Sequence, residues 1–364
     1  MMKQGCRNTK GRQINLSVPG RLCLFGEHSD WAADYGIHRG FCIVVGTDQN
    51  ITAIARPSDR FVVETILPDK FGRSSGRTRQ MSCSWQAKEL LDAAKDTTEF
   101  FRYIAGTAYI ILTQLHIPHG IDIRITRMDL PLRKGVSSSA AVCVLVAKLF
   151  NAVYELQMFL YEMMEIAYLG ERLTGSQCGR MDQACIYGKT PVLVAFEASR
   201  RVQLEPISMS APIHMFFVDL AGEKDTVGIL ADLHQNYRER IELQQALGEE
   251  NERIVRQAYQ ALLGGDAARL GVLMKEAQEV FDKRVARYSP NLLSSPLLRE
   301  VLQYDRIDEH VYGGKGVGSQ GDGTAQFVAR NASDRENAMV KIEEAFPQMK
   351  CFPLTIAGNM RQKC

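Results

Sequence analysis

The stretch LPLRKGVSSSAAVCVLVAKLF, residues 130–150, decides how the rest of the chain is read. Up to Ser139 it is polar, basic and glycine-containing; from Ala140 it is almost unbroken apolar, the pattern of a helix buried on most of its surface. The first turn of such a helix presents unpaired backbone N–H groups and the positive end of its dipole, and a phosphate placed there is stabilised by both. Gly135 lets the backbone come close, Ser137, Ser138 and Ser139 add hydroxyl donors, and Arg133 and Lys134 add positive charge. The same serines also suit a plain helix cap. The lysine precedes the glycine, so this is not the Gly-x-x-x-x-Gly-Lys-Ser/Thr loop. No second glycine follows Ser137 at the offset of a hydrolase nucleophile elbow. Residues 121–125 alternate apolar and charged and predict a half-exposed strand running into the loop, and a strand before with a helix after favours the phosphate cradle.

Upstream, residues 14–18 and the apolar run 22–25 predict two short strands around Pro19-Gly20-Arg21. The second ends at Gly26 and delivers Glu27, His28, Ser29 and Asp30, followed by Trp31. A strand end fixes the backbone while successive side chains fan out, which suits recognition; a solvated turn is the plainer alternative. Residues 41–45 and 51–55 predict two further strands split by the turn-prone 47–50, and 62–66 predicts another. Residues 70–80, rich in Gly, Ser and Arg, predict a surface loop, and the apolar period over 85–115 is helical.

Downstream, residues 160–172 predict a helix closed by Gly175. The segment Cys178-Gly179-Arg180-Met181-Asp182-Gln183-Ala184-Cys185 then sets one carboxylate, Asp182, among apolar and small residues, either in a structural pair or held for chemistry. Strands are expected at 192–196 and 214–220, charged helices over 232–263 and 267–285, and a short helix opened by Ser295-Pro296. Six glycines between Gly313 and Gly323 precede a last strand; such density means a backbone that bends sharply or lies close to something, or else a flexible surface loop.

At 364 residues the chain predicts two domains, with the change near residues 206–212. With 44 Lys+Arg against 42 Asp+Glu it is close to neutral, and nothing argues for a nucleic-acid or membrane-surface partner; a small-molecule ligand is expected. Nine cysteines carry no Cys-x-x-Cys pair and no paired-histidine spacing, which predicts reduced thiols rather than zinc or disulfides. The N-terminus lacks an apolar leader pattern and no run reaches the roughly 18 apolar residues of a membrane span, so a soluble, cytoplasmic protein is expected.

Three of these stretches together resemble the GHMP kinases, the small-molecule kinase family that includes galactokinase, homoserine kinase, mevalonate kinase and phosphomevalonate kinase. Pro19-Gly20-Arg21 with Gly26-Glu27-His28-Ser29-Asp30 is similar to the first family motif in its sugar-kinase form, with Ser29 and Trp31 in place of Thr and Tyr. Gly135-Val136-Ser137-Ser138-Ser139-Ala140 resembles the ATP-phosphate motif, and Gly179-Arg180-Met181-Asp182-Gln183 resembles the galactokinase segment that carries the catalytic aspartate. The glycine run 313–323 sits where the third motif belongs. The sequence departs from the family pattern at Arg133 and Lys134, at Lys315, Gln320 and Asp322, and over residues 31–40.

The resemblance implies an α+β, two-domain fold, with a ribosomal protein S5 domain 2-like N-terminal domain over 1–208 and a ferredoxin-like C-terminal GHMP domain over 209–364. It implies ATP and Mg²⁺ as cofactors and a monosaccharide as acceptor, phosphorylated at the anomeric hydroxyl, in a monomer or homodimer. Arg133, Lys134, Gly135, Val136, Ser137, Ser138, Ser139 and Ala140 would hold the triphosphate, and Ser139 with Glu171 the metal. Asp182 would take the proton of the attacking hydroxyl, with Arg21 paired to it. Glu27, His28, Asp30, Asp182, Gly316 and Gly318 would contact the sugar. A mevalonate-type alcohol kinase and a non-catalytic sugar- or ATP-binding regulator are the alternatives. The acidic pair Glu27 and Asp30 suits a polyol better than a carboxylate-bearing substrate.

Overall fold

The computed structural model describes residues 13–68, 74–130, 137–197 and 201–356. In chain order the elements are β1 (Ile14–Phe25), α1 (Ser29–Ala33), β2 (Gly40–Ser58), β3 (Arg60–Pro68), β4 (Ser74–Ser84), α2 (Ala87–Lys95), α3 (Arg102–Leu115), β5 (Gly120–Met128), α4 (Ser138–Tyr154) and α5 (Leu160–Leu173). A 3-10 turn, Asp182–Tyr187, leads to β6 (Val192–Phe196), β7 (Val202–Pro206), β8 (Ile213–Asp219), α6 (Thr226–Tyr237), α7 (Ile241–Gln245), α8 (Asn251–Gly264) and α9 (Ala267–Val280). The chain then runs through α10 (Pro296–Leu302), β9 (Val311–Gly316), β10 (Thr324–Ala329), α11 (Ala332–Ala345) and β11 (Lys350–Ile356). The fold is α+β, as expected.

Two compact units divide this chain, one drawn from Met1–Gly20, Gln49–Leu132 and Ser137–Ile186, the other from Arg21–Asp48, Arg133–Val136 and Tyr187–Cys364. In the first, β3 pairs antiparallel with β4 and parallel with β5, and β5 pairs antiparallel with the second half of β2, with Ala55 opposite Ile123. Helices α3, α4 and α5 of this unit pack on one another. α4 is the apolar run of the opening stretch, and ten of its residues from Ala140 to Val153 are buried. Gly106 of α3 faces Gly170 of α5 so closely that a Cβ on Gly106 would lie 2.4 Å from the Gly170 carbonyl oxygen. That contact lets α5 sink inward and carries the neighbouring Glu171 into the core, where it is 2% exposed.

In the second unit the first half of β2 pairs with β6, which pairs with β7. A separate antiparallel sheet runs in the order β11-β8-β10-β9. Its apolar face carries Phe216 stacked on Phe327, ring centroids 5.0 Å apart, and packs with Val301, Ala338 and Ile342. Gly313 on β9 lies against α9, where a Cβ would meet the Gly271 carbonyl oxygen at 2.2 Å. A second cluster seats α1 on α6 and α7 through Trp31, Leu233, Tyr237 and Leu243.

Several local expectations change. The two short strands at 14–18 and 22–25 are one, β1, and those at 41–45 and 51–55 are one 19-residue strand, β2. Turn-prone residues 47–50 stay extended because each half of β2 has its own hydrogen-bonded neighbour, and pairing overrides weak local preference. The loop expected over 70–80 is largely β4, whose described residues pair along β3, while residues 69–73 lie outside the described residues. The helical stretch 85–115 is two helices, and the expected charged helices are interrupted by π-helical turns at Ala246–Glu250 and Phe281–Val285. The first half of the glycine run is not a surface loop but the buried strand β9.

Candidate active site

The first unit builds a site at the start of α4. Ser137 occupies the N-cap with φ +50° and makes no side-chain capping bond. Ser139 instead donates its hydroxyl to Glu171 Oε1 at 2.7 Å, and Gln183 Nε2 donates to Glu171 Oε2 at 2.9 Å. Asp182 opens the 3-10 turn that carries Gln183. The approach to that turn is held by Arg180, whose guanidinium donates to both oxygens of Glu165 at 3.1 and 3.0 Å and lies over the Tyr168 ring. Burial, and then the like charge of Asp182, push the Glu171 carboxyl up from 4.5 to about 7, while the bonds from Ser139 and Gln183 pull the other way.

Ser139 and Glu171 therefore offer one hydroxyl and one carboxylate side by side. That donor set suits Mg²⁺, a hard cation that takes one or two protein carboxylates and completes its shell with water and phosphate oxygens. Among the described residues no group of three or more His, Cys, Asp and Glu side chains could hold a metal by itself. The seven described cysteines form no disulfide with one another. The expected phosphate contacts at Arg133, Lys134, Gly135 and Val136 fall on residues 131–136, which lie outside the described residues.

The second unit builds a different arrangement where β1 ends. Gly26 has φ +92°, and a Cβ there would lie 2.1 Å from the Phe41 carbonyl oxygen, so only glycine allows this turn. Ser29 Oγ sits 2.7 Å from the Gly26 carbonyl oxygen and 2.9 Å from that of Phe41, and its hydroxyl is used up in holding the turn. Glu27 is buried and ion-paired with Lys315 Nζ, which also donates to the Gly316 carbonyl at 2.8 Å. The Gly316 N–H donates to Gln278 Oε1 at 2.8 Å. Beside the pair lies a cleft of about 40 Å³ walled by Phe25, Leu247, Val280, Phe281 and Gln320.

His28 is buried, with its ring stacked on Phe281, and desolvation followed by the charge of Lys224 lowers it to about 3. Asp30 lies half-buried in the first turn of α1, Arg21 is buried on β1, and Gly318 has φ +65° in the loop after β9.

The expected site residues thus gather in two groups. Ser139, Glu171 and Asp182 meet in the first unit, and Glu27, His28 and Gly316 in the second. Sequence reasoning missed Gln183 as a partner of Glu171 and Lys315 as the partner of Glu27. The signal for Lys315 was a lone charge in a glycine run that leads into an apolar strand, where a lysine is costly without an anion.

Comparison with known proteins bears on this arrangement. Residues 102–189 match the GHMP kinases N terminal domain. A galactokinase of Roseiflexus sp. (strain RS-1) is 30% identical over 178 residues, 48% of this chain and 41% of that protein. The matched stretch thus spans less than half the length of that relative. The structure of Lactococcus lactis galactokinase complexed with galactose superposes with a TM-score of 0.72 at 16% identity, covering 96% of this chain and 95% of that one. The Methanococcus jannaschii mevalonate kinase structure superposes with a TM-score of 0.71 at 16% identity, covering 96% and 100%. Residues 102–189 are thus similar to a GHMP-kinase N-terminal domain, and the fold is that of the galactokinase and mevalonate kinase structures. Among the described residues no helix is long and apolar enough to cross a membrane.

Proposed function

We propose that this protein is an ATP-dependent kinase that transfers the γ-phosphoryl group to a hydroxyl of a monosaccharide, at the anomeric position. The observation that carries this reading is the Ser139–Glu171 contact at 2.7 Å at the head of a buried helix, with Asp182 close enough to raise the Glu171 pKa. The name of the galactokinase relative supports a sugar as the acceptor class.

In this reading residues 133–140 hold the triphosphate by backbone N–H groups, hydroxyls and the charges of Arg133 and Lys134. Ser139 and Glu171 hold Mg²⁺, which when bound neutralises charge on the phosphate oxygens. Asp182 accepts the proton of the attacking hydroxyl, and Arg21 keeps that carboxylate ionised. Glu27, His28 and Asp30, with the backbone at Gly316 and Gly318, bind the sugar. Residues 1–208 act as the ATP- and substrate-binding domain and 209–364 as the C-terminal domain, in a soluble cytoplasmic enzyme.

The test is ATP consumption against a panel of monosaccharides and mevalonate, followed by locating the phosphate on the product. Turnover with a sugar and an anomeric phosphate supports the proposal. Turnover with mevalonate alone replaces it with the alcohol-kinase reading, and binding without turnover replaces it with a regulator.

A further inference from the structure

His28 is 4% exposed, and its two ring nitrogens are in different states. Nδ1 lies 3.1 Å from the indole Nε1 of Trp31, and an indole N–H only donates, so Nδ1 must present its lone pair. An uncharged imidazole with Nδ1 accepting carries its hydrogen on Nε2. Burial, with Lys224, His234 and Lys315 around it, keeps this ring uncharged at neutral pH. Nε2 is itself buried and has no hydrogen-bond partner among the described residues. A buried donor without a partner is rare and calls for an acceptor that the described residues do not supply, a water or a ligand oxygen.

Three further features hold the ring in this state. The backbone of His28 has φ +68°, the left-handed region that a non-glycine residue occupies only when its surroundings fix it there. One face of the imidazole is stacked on Phe281, ring centroids 5.9 Å apart. Trp31 is clamped in turn: its ring lies 4.1 Å from that of His234 and meets Tyr237 edge-on at 5.4 Å. His234 is tied down by the Tyr35 hydroxyl, 2.8 Å from its Nδ1.

We propose that Trp31 is a positioning residue for acceptor recognition: its indole N–H locks His28 in the Nε2–H form, so that His28 donates to one uncharged oxygen of the acceptor. The oxygen is a hydroxyl, ring-ether or carbonyl oxygen read by its lone pair. This rests on the proposal that the acceptor binds at the Glu27–Asp30 turn. It assigns a role to the tryptophan that stands where the sugar-kinase motif has tyrosine.

The experiment combines steady-state kinetics of Trp31→Phe, His28→Gln and the double variant with ¹⁵N spectra of the imidazole nitrogens. Phenylalanine keeps an aromatic body against His234 and removes only the N–H. The expected result is an acceptor KM raised about tenfold, with kcat and the KM for ATP within about twofold. In the His28→Gln background, which has no Nδ1, the same change should leave the acceptor KM within about twofold. The wild-type spectrum should show a single Nε2–H form, and the Trp31→Phe spectrum a mixture. An unchanged acceptor KM in Trp31→Phe overturns the proposal, as does an equal rise in both backgrounds, which is packing alone. A wild-type ring protonated on Nδ1 overturns it with no variant needed. If no sugar is turned over, the kinase reading fails, and the spectra still decide whether Trp31 sets the tautomer.

Discussion

Among the described residues two glutamates are buried, and their surroundings solve the same problem in opposite ways. Glu27 is matched by a full positive charge, Lys315 Nζ, itself 1% exposed. Glu171 is matched by neutral donors, Ser139 and Gln183 with Ser176 and Cys178, and has the negative Asp182 nearby. A carboxylate already neutralised by a lysine has little left to offer a cation. A carboxylate held by neutral donors beside a second carboxylate is short of positive charge, and near neutral pH it makes up the shortfall with a proton. A divalent cation can take the place of that proton, so the unsatisfied glutamate is the one suited to metal and phosphate and the satisfied one is suited to an uncharged ligand.

The comparison breaks most readily at Asp182. Asp182→Asn should lower turnover by roughly a thousandfold or more, the scale of a lost general base, with ATP affinity measured by calorimetry nearly unchanged. It should also move the Glu171 titration toward ordinary carboxylate values by removing the like charge. Undiminished turnover takes Asp182 out of the mechanism.

Next in size is Lys315→Met, which leaves Glu27 buried and unpaired. A loss of about 3–5 kcal/mol in urea-unfolding free energy is expected, and Lys315→Met combined with Glu27→Gln should regain most of it. A single variant as stable as wild type would mean that Glu27 does not need its lysine.

Glu171→Gln should do the reverse. Its folded pKa of about 7 lies above the ordinary 4.5, so the folded state holds the proton more tightly than the unfolded one. Stability is then fully present below about pH 4.5 and is lost as pH rises toward 7. The neutral amide removes that loss, giving up to about 3 kcal/mol more stability above pH 7 in thermal or urea melts without nucleotide. Gln183 Oε1 is buried without a partner among the described residues, and rotating that amide lets it accept from the introduced N–H. The same variant should lose Mg²⁺-dependent turnover. A stability profile parallel to wild type would show that Glu171 is already ionised at neutral pH.

The smallest effect is expected at Asp30, half-buried at the edge of the Glu27 group. Asp30→Ala should raise the acceptor KM about tenfold and leave the KM for ATP within about twofold, and equal rises in both would remove Asp30 from the proposed acceptor site.

By itself the sequence determined the buried helix after Ser139, the strand that ends at Gly26, and Glu27 and Asp182 as carboxylates to watch, and the family resemblance its motifs carry implied the α+β class and singled out Glu171. These follow from apolar period, glycine placement and motif order, which are local properties of the chain. Only the tertiary structure decided that residues 47–50 continue a strand, that β4 replaces a loop, and that Lys315 answers Glu27. It also decided that Gln183 and Ser139 share Glu171 and that Trp31 holds His28. Each of these joins an element to a neighbour it meets only after folding: a strand to its pairing partner, a buried charge to a countercharge 288 positions away in the chain, an indole to a ring across one turn in the left-handed conformation. A one-dimensional pattern records which side chains need a partner, because burial makes an unmatched polar group costly. Which partner meets that need is fixed by packing.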